Sequence, residues 1–151
     1  SLLNFPVIKD LVTKSCLANF SRTLSALNSA GVPILEGLSI SRKTISNRIF
    51  RKIIDKMYVD IQSGNPIYKS LEKEIVIPVM FTSMFRIGEE TGELSQMINK
   101  LADFYEDEVT SIVKTLTSIM EPLLIVFVAV IVAFILIAMY LPMFSMMDTV
   151  G

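Results

Sequence analysis

The side chains with the most chemical potential in this sequence are acidic. Asp103, Glu106 and Asp107 fall at i, i+3 and i+4, so on a helix they share one face. Such a trio could hold a divalent cation or dock a basic partner, and it is also what the solvated face of an amphipathic helix looks like. Glu89, Glu90 and Glu93 crowd the run Ile87–Gly88–Glu89–Glu90–Thr91–Gly92–Glu93–Leu94. Glu93 opens a helix, where the macrodipole favours a carboxylate, whereas Glu89 and Glu90 close one, at a cost of roughly 0.3–1 kcal/mol each. Arg86 offsets part of that cost. Two readings remain: a contact for a partner or cation, or a tight turn whose glycines serve close packing. A basic counterpart lies upstream, where Arg48, Lys52 and Lys56 are spaced four apart with Arg51 nearby and Asp55 partly balancing them. That pattern suits anionic lipid headgroups or an acidic partner, and equally a solvated helix face.

Catalytic groups are scarce. The 151 residues contain no histidine, which removes the commonest general base and metal ligand. Cys16 is the single cysteine, so no intramolecular disulfide can form, and its neighbours Leu11, Val12, Leu17 and Phe20 mark it as an inert core thiol. There is no phosphate-cradling glycine loop and no serine nucleophile elbow. Neither an enzyme nor a cofactor is expected. A formal net charge of −1 gives no reason to expect nucleic acid.

Helices must position these groups. Apolar residues three or four apart run from Val7 through Ile8, Leu11, Val12, Cys16, Phe20 and Leu24 to Leu27, opened by Pro6 and stopped at Ala30–Gly31. Pro33 opens a second, short helix with Ile34, Leu35 and Leu38. Ser46–Asn47 caps a third, whose apolar face is Ile49, Phe50, Ile53, Ile54, Met57 and Ile61. Gly64–Asn65–Pro66 breaks it, and a fourth helix runs from about Pro66 to Lys73. Pro78 starts the fifth, with Val79, Met80, Phe81, Met84, Phe85 and Ile87 facing inward. From Leu94 the pattern continues without a clear stop, and Pro122 is expected to kink it. No segment alternates with period two, so the fold is all-α: a six-helix antiparallel bundle continuing into a C-terminal transmembrane helix.

That last helix is a matter of length and grease. Leu123–Leu141 has no charged residue, and fourteen of its side chains are Leu, Ile, Val or Phe. As a helix it spans roughly 28 Å, close to a hydrocarbon core of ~30 Å. At about −0.3 to −0.6 kcal/mol per large apolar residue, insertion is favoured by roughly 4–8 kcal/mol. The predicted organisation is a cytoplasmic bundle over residues 1–121, a membrane span over 122–141 and a short extracytoplasmic tail over 142–151. All fourteen Lys and Arg precede the span, which places the N-terminal portion in the cytoplasm, although Lys114 is almost the only one near it. Ala129 and Ala133, four apart, form a small-residue stripe where another membrane helix could approach. The opening at Ser1, in mid-pattern and without a methionine, reads as a fragment of a longer protein.

Several runs together carry a resemblance: Phe20–Ser21–Arg22–Thr23–Leu24; Ser29–Ala30–Gly31–Val32–Pro33–Ile34–Leu35–Glu36–Gly37–Leu38; Ser63–Gly64; Ile77–Pro78; the Ile87–Leu94 turn; Leu101–Ala102–Asp103–Phe104–Tyr105–Glu106; and Glu121–Pro122–Leu123–Leu124–Ile125. In this order they resemble the type II secretion F domain family over nearly the whole chain. The resemblance implies an inner-membrane platform protein of bacterial type II secretion and type IV pilus machines, typically with two cytoplasmic six-helix domains and three spans. This chain is similar to the second domain and final span. The implied role is a non-catalytic scaffold coupling a cytoplasmic assembly ATPase to pilin or pseudopilin assembly, in secretion, piliation or DNA uptake. Other inner-membrane assembly components and further copies of the chain are the remaining implied partners, with membrane lipid around the span. A single-span interaction or regulatory module without a secretion role is the alternative.

Overall fold

A computed structural model describes residues 5–150, with side chains through residue 149. The first four residues of the expected bundle and Gly151 of the expected tail lie outside the described residues. Six helices follow one another: α1 (Pro6–Ser29), α2 (Ile34–Thr44), α3 (Arg48–Gln62), α4 (Ile67–Glu72), α5 (Val79–Thr91) and α6 (Leu94–Val150). Among the described residues there is no strand.

Prolines start four of these helices, in two ways. Pro6 sits in the first turn of α1, whereas Pro33, Pro66 and Pro78 stand one residue before α2, α4 and α5 in an extended conformation. The ring fixes φ near −60°, a value that both an extended cap and a helix share, so the ladder can begin at once. Pro33 and Pro78 donate nothing, but their carbonyls accept the first rungs, from Gly37 N at 2.9 Å and Thr82 N at 3.3 Å. Asn47 caps α3 as its sequence position indicates, its Oδ1 accepting from Ile49 N at 2.9 Å and Phe50 N at 3.1 Å.

The core forms where these helices turn their apolar stripes together. Phe20 of α1, Phe81 and Phe85 of α5 and Tyr105 of α6 make one aromatic cluster, with centroids 5.1 Å apart for Phe81–Phe85 and 5.9 Å for Phe81–Tyr105. Leu17, Leu24, Leu38, Ile53, Met57, Leu71, Ile98 and Leu101 complete it. On α5 the inward stripe is Phe81, Thr82, Phe85 and Gly88. Val79, Met80 and Ile87, expected to face inward, are exposed instead, Val79 by 82 %. At 100° per residue they fall well off the stripe that Phe81 and Phe85 define. Ile49 on α3 and Val7 on α1 are corrected in the same way: both are exposed, while Phe50, Ile53, Ile54 and Met57 carry the buried face of α3.

The chain divides into two compact units after Ile112. Within the first, α1 and the start of α6 run antiparallel. Lys14 Nζ lies 3.0 Å from Glu108 Oε2, Arg22 Nε 2.9 Å from Glu106 Oε1, and Asn28 Nδ2 bonds Ser95 Oγ, so rising numbers on α1 meet falling numbers on α6. The second unit is the remainder of α6, which stays helical through Pro122 and Pro142. Among the described residues α6 is the one helix long and apolar enough to cross a membrane, and none of its apolar window is buried.

Replacing Phe81, which is completely buried, by Ala should destabilise the bundle by about 3–5 kcal/mol, whereas Val79→Ala should stay within about 0.5 kcal/mol. Chemical denaturation of the detergent-solubilised chain, followed by circular dichroism, measures both.

Candidate functional site

Glycine decides the geometry of the turn between α5 and α6. Gly88 is buried, and a Cβ there would lie 2.9 Å from the Leu94 Cα and 3.3 Å from the Met97 Cβ. The first neighbour is backbone, which cannot step aside. Gly92 closes α5 in the left-handed region, φ +75°, where an L side chain is strained. The chain therefore doubles back tightly, and α6 begins at Leu94 with Glu93 exposed in the capping position.

This reversal aims Glu89 at another helix. Its two carboxylate oxygens accept from the first backbone N–H groups of α4, Ile67 at 2.9 Å and Tyr68 at 2.8 Å. The charge that is unfavourable at the end of α5 thus sits against the positive end of α4, and it satisfies two donors that a six-residue helix would otherwise leave open. Glu90 takes a different partner, accepting from Arg86 Nε at 3.1 Å, and Arg86 also stacks over the Tyr68 ring at 5.3 Å. An open cleft of about 590 Å³ lies here, lined by Asn28, Ile34, Ile67, Glu89 and Glu93 among others. Of the three glutamates, Glu89 is structural, Glu90 is half of an exposed ion pair, and Glu93 remains at the surface without a partner among the described residues.

The acidic trio on α6 resolves differently. Arg22 forks onto Glu106 through Nε and Nη2, both at 2.9 Å, reaches Asp103 Oδ1 with Nη2 at 2.5 Å, and donates to Asn99 Oδ1 with Nη1 at 2.6 Å. Asp107 is exposed beside this cluster. No group of three or more His, Cys, Asp or Glu is arranged to hold a metal ion among the described residues. The hydrogen bond from Arg22 holds the Glu106 carboxyl below its ordinary value, and the same pairing raises the Arg22 guanidinium. Arg22 was visible in the sequence only as part of a motif; its partners lie some eighty positions away.

On α3 the three basic residues are not equivalent. Lys56 pairs with Glu74 at 3.1 Å, while Arg48 and Lys52 are exposed without an acidic partner among the described residues. Asp55 pairs with Arg42 at 2.6 Å, so it is committed to α2. Arg51 turns back to donate to the Ile45 carbonyl. Cys16 is half-buried, and burial pushes its thiol up, away from the thiolate that nucleophilic chemistry needs. Ala129 and Ala133 both lie exposed on the apolar part of α6.

The site thus combines a doubled-back α5–α6 turn, a carboxylate capping a short helix and an apolar continuation of α6. The family model described as type II secretion system, protein F matches residues 20–142. The chain belongs to this family. It is 44% identical over 150 residues to the type IV pilus assembly protein PilC of Thermus thermophilus, covering 99% of this chain and 37% of that protein. It is 36% identical to PilC of Pseudomonas aeruginosa over 151 residues, covering 100% and 40%, and 33% identical to the type II secretion system protein F of the same organism, covering 99% and 37%. The chain therefore spans well under half the length of these relatives.

Glu89→Ala should leave the Ile67 and Tyr68 donors open, costing about 1–3 kcal/mol and speeding amide exchange in α4 ahead of the rest of the bundle, with Glu89→Gln intermediate. Hydrogen exchange read by mass spectrometry checks this. For Glu106 the lowered value means a stabilising contribution that is present above the ordinary glutamate value of 4.5 and is lost as pH falls through the folded one. Thermal unfolding of the native chain and of Arg22→Gln should therefore differ at neutral pH and converge in acid.

Proposed function

We propose that this chain is the membrane-anchored helical module of an assembly platform, in which the bundle receives work from a cytoplasmic ATPase and pilin or pseudopilin subunits are added at the membrane. The reading follows from membership of the protein F family and from relatives named for pilus assembly and for type II secretion. On this reading the apolar part of α6 spans the bacterial inner membrane, the bundle stays cytoplasmic, and the chain corresponds to the second cytoplasmic domain and last span of a longer protein. No catalysis is asked of it, since ATP hydrolysis belongs to the partner.

The observation that carries the reading is that one helix, α6, begins at the α5–α6 turn and contains the apolar segment. A partner pressing on that turn acts on the element that enters the bilayer. Glu93 and Glu90 are the contacts of choice, because both are exposed and neither holds another helix in place. Glu89 is unsuitable as a probe, since its loss would uncap α4.

In the full-length protein, Glu90→Lys together with Glu93→Lys should lower surface piliation or secretion about tenfold or more, while protein level and amide exchange in the bundle stay unchanged. Normal assembly by that variant would remove the turn as the working contact.

A further inference from the structure

A second surface of the bundle is left open and has a definite chemistry. The first half of α1 and the start of α3, together with the loop before α5, enclose a groove of about 370 Å³ lined by Lys9, Val12, Ile49, Phe50 and Val76. Next to it Ile75 is fully exposed, and Ile49 is 58 % exposed. Lys9 lines the groove itself, and Arg48 and Lys52 are neighbours of Ile49 on α3; all three are exposed, and none has an acidic partner among the described residues. The nearby acids are committed: Asp10 pairs with Lys14 at 3.2 Å and Glu74 with Lys56 at 3.1 Å. Exposed apolar side chains beside uncompensated cations are what an anionic bilayer surface recognises, the former entering the headgroup boundary and the latter meeting its negative potential.

We propose that this groove, with Ile75 next to it and the cations Lys9, Arg48 and Lys52, docks the bundle onto anionic lipid. Charge complementarity beside exposed apolar groups favours anionic lipid as the occupant. Lys14 faces Glu108 on the antiparallel α1–α6 pair, and Lys9 lies further toward the start of α1. Only about fifteen residues of sequence join Glu108 to Leu123, where the apolar segment begins. The inference rests on that membrane reading of α6. Close to the span in sequence, Lys114 is nearly alone as a cation. The fold gathers three more cations from α1 and α3, residues too distant in sequence to count as flanking charge.

The test uses the whole chain in lipid nanodiscs, in a Cys16→Ser background. A polarity-sensitive fluorophore is attached through Ile75→Cys, Glu93→Cys or Val128→Cys, and quenching by bromine-labelled lipid tails is read in neutral phosphatidylcholine and with phosphatidylglycerol added. With the anionic lipid, the label at position 75 should be quenched at least about twofold more than the label at 93, with a blue-shifted emission. Each of Lys9→Glu, Arg48→Glu and Lys52→Glu should weaken that docking roughly fivefold or more, and neutral discs should abolish it. Equal, weak quenching at 75 and 93 while 128 is quenched would overturn the docking and leave the span intact. An unquenched label at 128 would instead remove the membrane reading, and this inference with it. Protection at 75 that follows protein concentration without lipid quenching would assign the groove to a second copy of the chain and overturn the proposal.

Discussion

A Cβ at position 88 would stand 2.9 Å from the backbone of Leu94, so α5 and α6 meet at a distance that only glycine permits. Much follows from that approach. It accompanies the packing of Phe81 against Tyr105, with Phe85 and Phe20 in the same aromatic cluster. It also turns Glu89 out of the reversal and onto the open end of α4, a helix too short to persist on its own propensity. Packing and capping thus go together with one close contact.

Polar pairing along α1 and α6 works at a different scale. The Arg22 fork and the Lys14–Glu108 pair lie at the surface, where such interactions are individually worth about 0–1 kcal/mol, so they do not hold the bundle together. What they select is register. Sliding α6 by one turn would separate Lys14 from Glu108 and Arg22 from Glu106 at once, as well as displacing the buried Ile98, Leu101 and Tyr105. The apolar part of α6 has no such partners among the described residues, and its exposed Leu, Ile, Val and Phe would be untenable in water over that length.

The elements were legible in the sequence because their ends are local. Proline at positions 6, 33, 66 and 78, asparagine at 47 and glycine at 31 and 92 act on their own backbone or on residues a few positions away. Which apolar residues face inward was less legible on α5. Val79, Met80 and Ile87 are as greasy as Phe81 and Phe85, and only the direction of the neighbouring helices decides which stripe is covered.

The candidate site divides along the same line. Glu89 looked like a burden at a helix end, and nothing within its own helix reveals that the N-terminus of α4, over twenty residues earlier, takes up its charge. Asp103 and Glu106 were two of the three carboxylates that could have held a cation or formed a solvated face, whereas Arg22 of α1, some eighty positions earlier, occupies them. By itself the sequence determined six helices, where they start, the apolar length of the last and the family pattern, since each depends on neighbours along the chain. Tertiary structure alone decided which charges are spent on one another and which are left at the surface. Electrostatic partners are chosen by distance in space, and the loops that set those distances leave no periodic trace.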